Sequence, residues 1–280
     1  MHVERPDPSF ALCRILGNDL PPLHSPGQTL RNLRFILDHE PASARCSKIF
    51  ILNRIVDRER RERLHGLIVG AGHTVDVIEF DDDAYRGLPT ALERGDYLTN
   101  NNAARNRALT LGLAEADLAL PFDGQTFFTA AAWQQLRADV ADQPECPVFV
   151  VPMVRLLHNR EALGLERVHR DEELGPSEPQ LMWTRQCSDR FDEALGYGRG
   201  PKVELLMRLG IAGQWDGWKH PYWDQMRACP RSPRAGQARP AGFCYRLATG
   251  NKTATFRIDA RQRARMQGLA GLVAHVDRTT

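Results

Sequence analysis

The residues whose types and spacing suit chemistry begin at Asp123. The run Leu118-Ala119-Leu120-Pro121-Phe122 is apolar and ends on Asp123, with Gly124 and Gln125 following. A buried strand that delivers a carboxylate at its C-terminal edge, beside a flexible turn, is how open α/β sheets present ligand and metal groups. The bland alternative is a strand-end turn. Farther along, Gly196-Tyr197-Gly198-Arg199-Gly200-Pro201 opens a helix at Lys202. A lysine beside a glycine-rich helix N-terminus suits an anionic phosphate. Glu204 and Arg208, four apart on that helix, also read as a surface ion pair. From Gln214 to Asp224, Trp215, Trp218, Tyr222 and Trp223 crowd beside Asp216, Lys219 and Asp224. Indole faces with nearby polar groups suit sugar rings, and the same residues suit a hydrophobic plug for the sheet's end. His220 is a candidate metal ligand with Asp123, since imidazole and carboxylate both bind divalent transition metals. Asp81-Asp82-Asp83 reads as an acidic turn or, less simply, as a metal site.

These residues need elements to place them. Apolar runs at 9–16, 48–53, 73–80 and 118–122 predict strands, and helical patterns at Leu30–Leu37, Arg58–Val69 and Ala103–Ala114 fall between them. Such alternation predicts a mostly parallel sheet with helices on both faces, its strand ends converging on one edge. Thr29, Asn102 and Thr129 are the expected helix caps. The arginines of the second helix, interleaved with Glu59 and Glu62, read as a solvated face. Residues 84–99 read as an irregular connection and 227–242, rich in Pro, Arg and Gly, as a mobile loop. Cys146–Leu157 reads as a strand interrupted at Pro152, and Gln180–Arg185 as another. The stretches 241–247 and 253–258 are expected to pair as a hairpin before a closing helix from Asp259 to Val276.

The run Ala103-Ala104-Arg105-Asn106-Arg107-Ala108-Leu109, an acidic spacer, an apolar strand and Asp123-Gly124-Gln125 together resemble the core of family-2-like glycosyltransferases of the GT-A fold. The match is good over residues 100–136, fair over the first hundred and poor beyond about 150. In that family the strand ends in an Asp-x-Asp motif that holds a divalent cation and the sugar-nucleotide diphosphate. The resemblance implies that Asp123 is the first acid of the motif, with Gln125 standing where the second should be. It also implies that Arg105 and Asn106 sit near the donor. The loop after the first strand, with Leu16, Asn18 and Asp19, would face the nucleotide base, and Asn53 and Asp57 would share that edge. The family's acidic pair falls here on Pro201 and Lys202, which leaves Glu204 as the base one turn on and Lys202 as a diphosphate ligand.

Composition narrows the classes. The chain has 280 residues, of which 42% are hydrophobic, 26% charged and 8% aromatic, the profile of a globular protein. Its 37 basic and 35 acidic residues leave a formal charge of +2, so no nucleic-acid partner is expected. No run of 18 apolar residues predicts a transmembrane segment. The N-terminal sequence lacks the pattern of a signal peptide, and the 6 cysteines are scattered, so reduced thiols and a cytoplasmic location are expected.

The expectation is one GT-A-like (Rossmann-like) α/β domain over 1–280, with a mixed, mostly parallel sheet flanked by helices and C-terminal elaborations. Residues 1–145 would bind the nucleotide-sugar and 146–280 the acceptor. The implied activity is a hexosyltransferase-like transfer from a nucleotide-sugar, UDP-linked, to a glycan, lipid-linked or small-molecule acceptor, assisted by Mg²⁺ or Mn²⁺. Asp123 and His220 would hold the metal, and Trp215, Trp218 and Trp223 the acceptor. A non-catalytic carbohydrate- or partner-binding domain and a nucleotidyltransferase remain as alternatives.

Overall fold

The first apolar run forms β1, Phe10–Leu16, and every one of its side chains is buried. The computed structural model describes residues 7–164, 178–198, 200–217, 227–251 and 258–279. After β1 come α1 (Gln28–His39), β2 (Cys46–Asn53), α2 (Arg58–Gly70), β3 (Thr74–Ile78), α3 (Asp82–Arg86), α4 (Ala91–Leu98), α5 (Asn101–Glu115) and β4 (Leu118–Asp123). Then follow β5 (Thr126–Phe127), α6 (Ala130–Ala141), β6 (Val148–Val151), β7 (Met153–Arg155), α7 (Glu161–Gly164), β8 (Gln180–Thr184), α8 (Val203–Arg208), β9 (Arg239–Pro240) and β10 (Cys244–Arg246). A last helix, α9, runs over Ile258–Thr279.

The main sheet has 7 strands in the order β3-β2-β1-β4-β8-β6-β9. β3, β2, β1 and β4 are mutually parallel, and β8 alone runs against its neighbours. The C-terminal ends of β1, β2 and β4 therefore share one edge. The register of Ala119 against Trp183 brings Gln180, the first residue of β8, to that same edge. A smaller sheet, β5-β10-β7, lies beside it. The apolar face of α5 explains how closely it packs: Ala104 and Ala108 meet Ala11, Cys13, Ile15, Ile49 and Ile51 in one cluster. Glu40 sits between Arg14, Lys48 and the Phe128 amide, a buried charge network that ties β1 and β2 to the segment after β5.

Several local expectations are corrected. Residues 84–99 are not an irregular connection: α3 is capped by Asp81 and α4 by a Thr90–Glu93 capping box. The Asp81–Asp83 turn is thus a helix start, with Asp82 pairing Arg86 at 2.9 Å. The N-cap of α5 is Asn100, whose side chain accepts from the Ala103 amide. Asn102 is buried and donates instead to the carbonyls of Asp192 and Pro201 at 2.6 and 2.9 Å. Thr29 does not cap α1, and its hydroxyl donates to Asp19 at 2.6 Å. Arg60 leaves the solvated face of α2 and reaches Asp19 at 3.2 Å and the Gly17 carbonyl at 3.1 Å. The 227–242 stretch is pinned, with Ser232 donating to Asp189 at 2.7 Å and the Gly236 amide to the Leu209 carbonyl at 3.0 Å. β10 pairs with β5 and β7, whereas most of its expected hairpin partner lies outside the described residues. All 6 cysteines are free thiols.

Candidate functional site

A cleft opens where the ends of β1, β2 and β4 meet the start of β8 and the loop before α8. It is walled by Leu16, Asn18, Asn53, Arg105, Asp123 and Lys202, among others. This is the ligand edge that an open parallel sheet offers. Gly124 makes the turn possible: a Cβ there would lie 2.4 Å from the Ile15 carbonyl oxygen.

Asp123 is the centre of the charge pattern. Arg105, one turn into α5, donates through Nη2 to its Oδ1 at 2.8 Å. Lys202 Nζ lies 3.5 Å from Oδ2 and donates to Gln180 Oε1 at 3.1 Å. Gln180 Nε2 reaches the same Oδ2 at 3.5 Å, and Arg246 Nη1 stands 3.7 Å away. Burial by itself would raise the Asp123 carboxyl, but Lys202, Arg105 and Arg246 together hold it well below the usual carboxylate range. Lys202, only 3% exposed, is pulled below its ordinary range by that burial, with Asp123 opposing. Arg105 is an unfavourable residue near a helix N-terminus unless an anion faces it, and Asp123 supplies one.

The cleft contains residues that the sequence reading did not single out. Arg246 from β10, Glu178, Tyr197, His24 and Arg265 from α9 line it, and Gln180 from β8 reaches Asp123 and Lys202. Arg265 lies over the Tyr197 ring at 5.0 Å. Gln125 accepts from Arg246 Nε at 3.4 Å and its amide nitrogen faces His24 Nε2 at 3.3 Å. Burial lowers His24 from 6.5 to about 4, with the positive charges of Arg246, Arg60 and Arg265 adding to the effect and Asp19 opposing it. No periodicity marks these positions, because each comes from a different element.

Other expected site residues stand elsewhere. Asp19 accepts from the Thr29 amide and hydroxyl and pairs with Arg60, so it anchors the start of α1. Asp57 is the exposed N-cap of α2, its side chain accepting from the Arg60 amide. Asn106 clamps the loop after β8, donating to the Phe191 carbonyl and to Glu193 and accepting from the Phe191 amide. Glu204 is buried and paired with Arg208 at 2.8 Å, away from the cleft wall, so its placement is that of a structural ion pair and not of a base. Arg208 is held further by Asp189 at 2.9 Å. Trp215 is a core residue and not an open platform: it is 3% exposed, packs with Leu205, Leu206 and Leu209, and donates to the Ile211 carbonyl. Trp218, His220 and Trp223 lie outside the described residues.

A divalent cation needs several hard oxygen donors. Both oxygens of Asp123 are engaged by cations, Gln125 offers no carboxylate, and among the described residues no group of three His, Cys, Asp or Glu is placed to hold a metal. Among the described residues, the side chains around Asp123 suit an anion and do not by themselves make a divalent-cation ligand set.

No protein-family model and no curated protein matches the sequence. The chain is similar to solved structures at the level of the fold. One is S. aureus TarS, at 10% identity and a TM-score of 0.44 over 86% of this chain and 37% of that one. Another is the mannosyltransferase PcManGT from Pyrobaculum calidifontis in complex with GDP-Man and Mn²⁺, at 12% identity and a TM-score of 0.43 over 95% of this chain and 64% of that one. The chain thus spans less than two thirds of either protein. No helix among the described residues is long and apolar enough to cross a membrane.

Proposed function

We propose that this protein is a glycosyltransferase-like enzyme whose cleft binds a nucleotide-sugar by its diphosphate. The observation that carries the reading is the strand-end Asp123 ringed by Arg105, Lys202 and Arg246 where three parallel strands end. A cationic recess at that edge suits a diphosphate. The likeness of residues 100–136 to family-2-like glycosyltransferases supplies the sugar-transfer part. In this reading 1–280 is a single domain, Leu16, Asn18 and Asn53 face the nucleoside, and the acceptor enters from the 146–280 half. UDP-linked donors come first and GDP-linked ones are the comparison. The Mg²⁺ or Mn²⁺ of the resemblance would find two carboxylates on the described cleft wall, Asp123 and Glu178, the first already held by Arg105 and Lys202.

The base that takes the acceptor proton is reassigned from Glu204. Asp123 and Glu178 are the carboxylates on the described cleft wall. Asp123, held well below the usual range, is a weak base. Glu178 therefore takes the role, receiving the acceptor hydroxyl proton as that oxygen attacks the sugar carbon and the nucleoside diphosphate leaves.

The test is a screen of UDP- and GDP-linked sugars for binding and for release of nucleoside diphosphate. Glu178→Gln should keep donor affinity within about threefold while slowing release by roughly 10²–10⁴. A chain that binds none of these donors sinks the reading. Binding without any release would favour the non-catalytic alternative, for which Lys202 at the expected acid position speaks.

A further inference from the structure

Among the described residues, the cations on the cleft wall outnumber the carboxylates. Arg105, Lys202, Arg246 and Arg265 line it against Asp123 and Glu178. Arg155 and Arg261 lie within electrostatic reach of Arg246. Arg246 stands beside Arg155 in the parallel register of β10 and β7. Arg261 and Arg265 are one turn apart on α9, so their charges share one face of that helix. Burial first, then Arg246 and Arg261, pushes the Arg155 guanidinium down to about 8, with Glu178 and Asp123 opposing. A divalent metal would add charge of the same sign to this crowd. A diphosphate would relieve it.

We propose that the diphosphate is bound without a divalent metal, Lys202, Arg105 and Arg246 supplying the positive charge that a metal would bring. The proposal rests on the nucleotide-sugar reading of the cleft. Asp123 is the counter-ion of these cations. It holds Arg105 at 2.8 Å but Lys202 and Arg246 only at 3.5 and 3.7 Å, so those two cations are loosely matched and positioned to turn to phosphate oxygens. Gln125 fits the same logic: where a second carboxylate would recruit a metal, its amide accepts from Arg246 and adds no negative charge. Gln180 orients Lys202 through the 3.1 Å bond to its Nζ.

The experiment is calorimetry of UDP, GDP and inorganic pyrophosphate with the full chain, once in EDTA and once in MnCl₂. The expected result is a nucleoside diphosphate Kd that agrees within about threefold between the two conditions. Arg246→Gln and Lys202→Met should each weaken it by about 10-fold or more in EDTA. Lys202 is buried and its variant stands to misfold, whereas Arg246 is 22% exposed and its variant keeps the test decisive. Binding that requires Mn²⁺ overturns the metal-free site and leaves the nucleotide-sugar reading standing. Pyrophosphate binding in EDTA with no nucleoside diphosphate binding supports the cationic site and removes the nucleotide reading. No binding of any of the three, in either condition, overturns the proposal.

Discussion

At the scale of single residues, charge placement separates structural ion pairs from the cleft. Glu204 and Lys202 are two positions apart, yet one is locked to Arg208 and the other turns to Asp123. Glu204→Gln removes one of the two carboxylates that hold Arg208, so it should cost about 1.5–3 kcal/mol in urea unfolding while nucleoside diphosphate affinity stays within about threefold. Full stability with a hundredfold slower turnover would instead return Glu204 to the role of base. His24 gives a pH prediction. Its folded-state value, about 4, lies below the ordinary 6.5, so the neutral form is favoured on folding. The contribution is fully present above pH 6.5 and is lost as the pH falls toward about 4. His24→Gln should therefore lose less stability than the natural chain over that window. Parallel urea midpoints for the two proteins at pH 7, 5.5 and 4.5 would reject the idea.

At the scale of elements, α5 decides where Arg105 points, because its seating on the sheet is set by small residues. A Cβ on Gly112 would meet Ala119 Cβ at 2.8 Å and Cys13 Sγ at 2.9 Å. Alanine is the better helix former by about 1 kcal/mol, but the clash is the larger effect. Gly112→Ala should destabilise the protein by about 1–3 kcal/mol, and Cys13→Ala in the same chain should recover part of it. Additive losses in that double-mutant cycle would mean that α5 shifts without pressing on β1. The strands and most helices were legible from their apolar patterns, whereas the caps expected at Thr29 and Asn102 were not where the helices start. The α3–α4 stretch was not, since its helices are short and its Thr90–Glu93 capping box is a polar signal inside a weak apolar pattern.

At the scale of the whole molecule, the candidate site joins both halves of the chain: Asp123 from β4, Gln180 from β8, Lys202 at the start of α8 and Arg246 from β10. Strand β8 lies between β4 and β6, so the sheet is continuous across the chain. Unfolding should then be one transition, with far-UV circular dichroism and the fluorescence of Trp133, Trp183 and Trp215 coinciding. Nucleoside diphosphate at about 100 times its Kd should raise stability by about 2.7 kcal/mol and move both signals together. Two separated transitions, of which only one responds, would divide the chain into independent units.

The sequence by itself determined the alternating elements, the parallel half of the sheet and the delivery of Asp123 at a strand end, because periodicity and a carboxylate before glycine are local signals. It also pointed to Lys202, marked by its helix start, and to Arg105, through the resemblance. The partners of Asp123 were decided only by tertiary structure. Arg246 stands 123 positions from Asp123 and Gln180 57, and nothing in their local sequence marks them until β8 inserts against β4 and β10 folds beside β5. Packing likewise decided the fate of Glu204 and Trp215. An i,i+4 pair and an indole beside polar residues look the same in sequence whether they face a substrate or the core, and burial tells them apart.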